Sequence, residues 1–209
     1  MLGQIVAFTV AATVVTITPG ADMALVARRA ITDGWRRASW TSAGILSGLL
    51  VHATASAIGI SAILLRSATA FTVLKVAGAC YLVVLGVLSF RSARRTARGE
   101  VPTVDARPAR SARASFAQGF LNNVLNPKPA LFYLAFMPQF FEPGDPVVLL
   151  TAIFVAIHIA MGVVWLVTWA WFVGRTSGAL GGTRWRAALE RVAGAVLIAL
   201  GARLATASR

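Results

Sequence analysis

The sequence predicts an all-α polytopic membrane protein, with six transmembrane helices arranged as two inverted three-helix repeats. Of the 209 residues, 57% are hydrophobic and only 13% are charged, and the mean hydropathy is +0.74. Soluble domains carry about 25% charged residues. The apolar residues fall into six runs, and each is at least as long as the roughly 20 residues that a membrane helix needs. The six runs cover about residues 4–27, 39–64, 68–90, 116–141, 146–173 and 187–206.

Basic residues lie in alternate connections between these runs. They are Arg28, Arg29, Arg36 and Arg37 in the first connection, Arg91, Arg94, Arg95, Arg98, Arg107, Arg110 and Arg113 in the third, and Arg175, Arg184, Arg186 and Arg191 in the fifth. Cytoplasmic loops of membrane proteins are enriched in Lys and Arg, so we expect both termini on the non-cytoplasmic side. This topology explains the net charge of +13 without nucleic acid binding. The Arg- and Ala-rich composition indicates a GC-rich bacterial genome. We expect a multi-pass protein of the bacterial inner membrane.

The first run is interrupted near its middle by Thr18-Pro19-Gly20, with Asp22 directly after. Proline has no amide hydrogen and clashes with the preceding helical turn, so it breaks a helix. The pattern therefore predicts two half-helices. Asp22 then has several roles open to it: stabilising the start of the second half-helix, binding a substrate ammonium, or pairing with Lys128.

The fourth run, residues 116–141, is both polar and broken at its centre. Its polar residues and prolines are Asn122, Asn123, Asn126, Pro127, Lys128 and Pro129. Polar groups and a helix break at mid-membrane depth are typical of a transport site. Lys128 can hold a substrate carboxylate, exchange protons, or pair with Asp22. Asn122 and Asn126 share one face if the helix persists, and they either line the path or bond the carbonyls freed by the break.

The two halves of the chain resemble each other. Each half has three runs, so the halves enter the membrane in opposite senses, which is a common plan of secondary transporters. We expect repeats at 1–90 and 116–209, joined by a basic cytoplasmic linker at 91–115. Their second runs carry His52 and His158, the only histidines. These form either interhelical hydrogen bonds or a proton-responsive pair.

Other classes of protein fit the sequence less well. A metal-ion exporter needs several membrane carboxylates for a hard cation, and Asp22 is the one clear candidate. A membrane-embedded enzyme needs an activated nucleophile, metal ligands or paired cysteines, whereas the chain has a single cysteine, Cys80, and neither HExxH nor CxxC. We therefore expect no catalytic residue, no metal and no cofactor.

Two of these motifs are similar to signatures of the LysE/RhtB family of amino-acid exporters. Asn126-Pro127-Lys128, followed by Phe132 and Met137-Pro138-Gln139-Phe140, resembles the NPK…PQF signature, and Thr18-Pro19-Gly20 through Asp22 resembles TPGP-[ND]. Gly34, the Gly44, Gly48 and His52 face, and Gly78-Ala79-x-Tyr81-Leu82 with Gly86 also fit. The resemblance covers nearly the whole chain except the linker. Two positions depart from it: Ala21 replaces the usual second proline, and Pro129 adds one after Lys128.

The resemblance implies secondary-active, proton-coupled export of a small amino acid or derivative from the cytoplasm. It also implies a homodimer. The motifs place substrate binding at Thr18, Pro19, Gly20, Asp22, Asn122, Asn126, Pro127 and Lys128, with His52 and His158 as the candidates for proton coupling. The partners are then the amino acid, the proton gradient and the lipid bilayer.

Overall fold

A computed structural model describes residues 1–64, 68–98, 100, 111–142, 144–176 and 183–206. Every regular element in these ranges is helical. The elements are α1 (Leu2–Ile17), α2 (Ala21–Asp33), α3 (Trp35–Leu64), α4 (Ala68–Ala97), α5 (Ala112–Val124), α6 (Pro127–Leu131), a π-helical segment (Phe132–Phe136), a 3-10 turn (Met137–Phe140), α7 (Val147–Thr176) and α8 (Thr183–Thr206). The described residues therefore form an all-helical fold, as predicted.

The first predicted run forms two helices that meet at an angle. Helix α1 ends at Ile17, α2 begins at Ala21, and their axes differ by 49°. Thr18 is extended, with ψ 118°, as expected for a residue before proline. Helix α2 ends at Asp33, and the next residue, Gly34, has φ +82° and ψ 161°, a backbone conformation that glycine adopts without steric cost.

The fourth predicted run is divided into more pieces than the two expected. Helix α5 ends at Val124 and α6 begins at Pro127. The chain then widens into the π-helical segment and tightens into the 3-10 turn before Phe141. The π-helical turn was not predicted from the sequence. Such turns are rare and are found mostly at functional sites.

Two described helices are long and apolar enough to cross a membrane, namely Trp35–Gly59 and Val147–Arg175. The bent pair α1 and α2 is a third if it forms one span. Large apolar side chains on these helices and on α5 are exposed, among them Ile58, Val164 and Leu121, as expected for a surface that faces lipid. The count of six spans remains a prediction.

Glycines let the helices approach closely, which is typical of membrane proteins. Helix α4 packs on α8 where Gly86 faces Gly194, and a Cβ added to Gly86 would lie 2.7 Å from the Gly194 carbonyl oxygen. Helix α3 packs on α5, and Gly44 and Gly119 lie against the backbone of the opposite helix. Helix α3 also packs on α7. These contacts fix the helices around the two breaks.

The predicted linker at 91–115 is partly helical at both ends. Helix α4 continues to Ala97, and α5 begins at Ala112 with the Ser111 side chain accepting a hydrogen bond from the Ala114 amide. Helix α4 is therefore longer than its apolar run, which ends at about residue 90. Arginines can continue a helix beyond its apolar part because they do not interrupt the backbone hydrogen bonds. Residues 99 and 101–110 of this linker lie outside the described residues.

Candidate functional site

The break between α1 and α2 frees one backbone carbonyl for another use. The Thr18 amide and hydroxyl both bond the Val14 carbonyl oxygen, at 3.1 and 2.5 Å. Thr18 and Gly20, on either side of Pro19, are extended, and Gly20 is the N-cap of α2. The Thr18 carbonyl therefore projects from the C-terminal end of α1, where the helix dipole is negative.

The break between α5 and α6 is organised by Asn126. Its side chain accepts a hydrogen bond from the Lys128 amide at 3.0 Å, as an N-cap, and Pro127 occupies the first position of α6. Proline is favoured there because that amide has no partner within the helix. Asn126 thus satisfies a freed amide, a contact that the sequence did not predict, and its side chain also lines the cavity described below.

The two breaks are joined by hydrogen bonds in both directions. The Lys128 ammonium donates to the Thr18 carbonyl oxygen at 2.6 Å. The Asp22 carboxylate, in the first turn of α2, accepts from the side-chain amides of Asn122 at 2.7 Å and Asn123 at 3.0 Å. The cation from the second half of the chain is thus held by the first half, and the carboxylate from the first half is held by the second.

A cavity of about 60 Å³ lies between the breaks. Its lining residues include Thr18, Gly20, Asp22, Asn126, Lys128 and His158 from the predicted site. Pro19, Asn122, Pro127 and His52 are not among its lining residues. The remaining wall is largely aliphatic and includes Val15, Ile45, Leu46, Leu49 and Leu166. Such a cavity, with one carboxylate and one ammonium against apolar walls, suits a small solute that carries both charges.

The two histidines occupy different surroundings. The His52 Nε2 atom lies 3.0 Å from the Asn123 carbonyl oxygen, so this ring bonds the backbone at the end of α5. The His158 Nδ1 atom lies 3.0 Å from the Tyr133 hydroxyl, in the π-helical segment. The Tyr133 ring stacks on both imidazoles, with centroid distances of 6.5 Å to His52 and 5.7 Å to His158.

Asn123 is one of the polar residues of the fourth run, without a predicted role, yet it contacts two other helices, α2 and α3. It is 1% exposed, holds Asp22 by its side chain and contacts His52 by its carbonyl. Its Oδ1 atom is buried without a hydrogen-bond partner among the described residues. A Cβ added to Gly48 would lie 2.7 Å from that atom. Asn123 therefore fits at this position because Gly48 of α3 has no side chain.

Two buried charged residues away from the cavity were also missed. Arg29 is 2% exposed, whereas its place between two apolar runs predicts a charge in a loop. It bonds Asp33 at 2.5 Å and donates from Nε and Nη2 to Gln118 of α5. Glu190 of α8 is 1% exposed and accepts from the Thr96 hydroxyl at 3.0 Å. The spacing of Arg29 and Asp33, four residues apart, is the signal that the sequence offered.

Apolar helices that enclose a small cavity with charged side chains between broken segments are typical of membrane transport proteins. The chain belongs to the family of LysE type translocators, whose family model matches residues 13–208. This confirms the predicted resemblance and identifies a transporter, not an enzyme. No solved structure gives a significant match to the chain.

Relatives of known name are similar along much of their length. The homoserine/homoserine lactone efflux protein of Salmonella typhi is 28% identical over 201 residues, which cover 96% of this chain and 95% of that protein. The uncharacterized membrane protein YrhP of Bacillus subtilis (strain 168) is 26% identical over 202 residues, or 95% and 96% of the two chains. The threonine efflux protein of Escherichia coli (strain K12) is 29% identical over 120 residues, or 57% and 58%.

Proposed function

We propose that the protein exports a small amino acid or amino-acid derivative from the cytoplasm across the bacterial inner membrane by proton antiport. The observation that carries the proposal is that Lys128 and Asp22, each held by a separate set of partners, line one small cavity between two helix breaks. A zwitterion presents a carboxylate and an ammonium at close spacing, and this cavity offers one group of opposite charge for each. The relatives named as efflux proteins for homoserine and threonine support this class of cargo.

When the substrate binds, its carboxylate replaces the Thr18 carbonyl oxygen as the acceptor of the hydrogen bond from the Lys128 ammonium. An ionised carboxylate has about four acceptor positions, and two on Asp22 are occupied by Asn122 and Asn123. The remaining positions receive the substrate ammonium. The aliphatic wall around Leu46 and Leu49 then contacts the side chain of the substrate.

In this proposal six spans form two inverted three-helix repeats, 1–90 and 116–209, with the termini outside the cytoplasm. Support comes from the convergence of His52 on α3 and His158 on α7 on one tyrosine. Further support comes from the packing of α4 on α8, the third run of one half on the third run of the other. Export follows when one half rocks against the other and exposes the cavity to the outside.

The proposal is tested by uptake of labelled amino acids into inside-out vesicles, in which the cytoplasmic face is accessible. We expect saturable uptake of at least one small amino acid, stimulated when the vesicle lumen is acidic. Reporter fusions at both termini, active only in the cytoplasm, should stay inactive. An active fusion at either end would contradict the proposed topology.

Lys128→Met keeps the length of the side chain and removes its charge, so it isolates the ammonium. A hydrogen bond to a charged group contributes about 1.5–3 kcal/mol, so we expect uptake to fall at least tenfold while the protein still accumulates in the membrane. Lys128→Ala should do the same. Uptake at the wild-type rate by either variant would remove Lys128 from the site.

A further inference from the structure

We propose that His158 alone binds the coupling proton, that Tyr133 is its positioning partner, and that His52 has a structural role. This inference rests on the proposed proton-coupled export. It separates two histidines that the sequence presents as an equivalent pair. The argument depends on what each imidazole contacts and on whether gaining a proton changes that contact.

The contact of His52 does not change when this ring gains a proton. A backbone carbonyl oxygen can only accept, so the Nε2 atom that lies 3.0 Å from the Asn123 oxygen carries a hydrogen and donates it. The Asn126 amide donates to the same oxygen at 3.0 Å, so both lone pairs of this carbonyl are used. A proton added to His52 enters at Nδ1 and leaves the bond from Nε2 as it was. His52 therefore secures the end of α5 in either protonation state.

The contact of His158 reverses when this ring gains a proton. Tyr133 is 0% exposed, and among the described residues its hydroxyl has one hydrogen bond, to His158 Nδ1 at 3.0 Å. Buried hydroxyl hydrogens are rarely left without an acceptor, so the neutral ring accepts from Tyr133 at Nδ1 and keeps its own hydrogen on Nε2. A proton bound at Nδ1 turns this acceptor into a donor. The tyrosine hydrogen must then find another acceptor, which requires Tyr133 or its neighbours to move.

Tyr133 is placed where such a movement would reach the helix break. It is the second residue of the π-helical segment, which follows α6 directly, and α6 carries Lys128. The Ser56 hydroxyl of α3 donates to the Tyr133 carbonyl oxygen at 2.5 Å, so the residue is held from α3 by its backbone and from α7 by its side chain. A π turn has an irregular hydrogen-bond register, and such turns are found mostly at functional sites.

Several titratable groups surround this pair. Lys128 of α6 and Asp22 of α2 line the same cavity as His158, and His52 of α3 stacks on the tyrosine ring. The cavity therefore gives the coupling proton access to His158 and brings it beside the two charged groups proposed to hold the substrate. His52 is not among the residues that line this cavity.

The test uses purified protein in proteoliposomes, with His158→Gln and His52→Gln as a matched pair. Two rates are measured in the same vesicles: amino-acid uptake driven by a pH gradient, and amino-acid exchange at equal pH on both sides. For His158→Gln we expect the stimulation by the gradient to disappear, so that the driven rate equals the undriven one. For His52→Gln we expect the wild-type stimulation ratio, because a glutamine amide can still donate to the Asn123 carbonyl.

Tyr133→Phe removes only the hydroxyl, and we expect it to shift the pH dependence of exchange, which a purely structural tyrosine would not do.

A spectroscopic measurement keeps the inference testable where a variant accumulates poorly. The chain has two histidines, so nitrogen NMR of histidine-labelled wild-type protein resolves both rings. We expect the His158 Nδ1 signal to titrate and the His52 Nε2 signal to stay protonated.

The possible failures are distinguishable from one another. Wild-type gradient stimulation in His158→Gln, or its loss in His52→Gln alone, overturns the inference while export itself stands. Titration of His52 without titration of His158 in the NMR spectra does the same. If the wild-type protein exchanges no amino acid at all, the proposed function falls, and this inference falls with it.

Discussion

Replacing Gly48 by alanine tests whether the position of Asn123 controls the substrate site. The added Cβ would lie 2.7 Å from Asn123 Oδ1 and 2.9 Å from Asn123 Cβ. Carbon atoms pack at about 3.5–4.0 Å, so Asn123 must move by about 0.6–1 Å to make room. A movement of this size is enough to break its 3.0 Å hydrogen bond to Asp22. Overpacking costs about 1–3 kcal/mol, so we expect a folded protein whose carboxylate has lost one donor.

The expected result for Gly48→Ala is a transport rate reduced about 10- to 100-fold, because a hydrogen bond to a charged group contributes about 1.5–3 kcal/mol and about 1.4 kcal/mol is a factor of ten. The assay is uptake into inside-out vesicles, normalised to the amount of protein. Gly59→Ala is the matched control on the same helix, since its added Cβ meets nothing within 4 Å. The double variant Gly48→Ala/Asn123→Gly removes all three Asn123 atoms that the added Cβ would meet, and transport should stay low because the donor to Asp22 is still absent. Wild-type uptake by Gly48→Ala would refute the reasoning.

Two further substitutions address the stability of the half-helices. Gln118→Leu removes the acceptor of two Arg29 donors; we expect the free energy of unfolding in detergent to fall by about 1–3 kcal/mol, whereas Leu121→Ala, at an exposed position of the same helix, should change it far less. Asn126→Ala removes the cap of the Lys128 amide, which should cost about 1 kcal/mol. Asn126→Asp should recover most of that loss, and equal stability of the alanine and aspartate variants would show that the cap contributes nothing.

Much of the helical layout follows from the sequence, because hydropathy and proline act locally. The apolar runs at 39–64 and 146–173 correspond to α3 and α7. The helices break around Pro19, between α1 and α2, and directly before Pro127, between α5 and α6. Helix ends beyond the apolar runs were harder to predict. Arginines prolong α4 to Ala97, because charged side chains can stay in water while the backbone remains helical.

The contacts within the site were less predictable, because they depend on where a helix stops. Asn122 and Asn126 share a face only if the helix continues through both, and α5 ends at Val124. The adjacent residue Asn123 joins Asn122 on the Asp22 carboxylate instead. The role of Tyr133 depends on the π-helical turn, for which no local sequence signal is known. The matching positions of the two histidines likewise gave no indication that their hydrogen-bond partners differ, a carbonyl acceptor for His52 and a hydroxyl donor for His158.

In the proposed mechanism, the crossed hydrogen bonds between the two breaks couple substrate binding to movement. Three bonds to charged groups join the two breaks, one from Lys128 to the Thr18 carbonyl and two to Asp22. At about 1.5–3 kcal/mol each, breaking all three without replacement costs about 4–9 kcal/mol. A difference of about 5.5 kcal/mol moves an equilibrium from 1:99 to 99:1, so the empty protein is held in the conformation described here. A zwitterion supplies new partners for both charged residues and removes much of this cost. In the same proposal, a solute with only one of the two charges replaces the bonds of only one of these residues, so we expect the exporting movement to stay unfavourable for it.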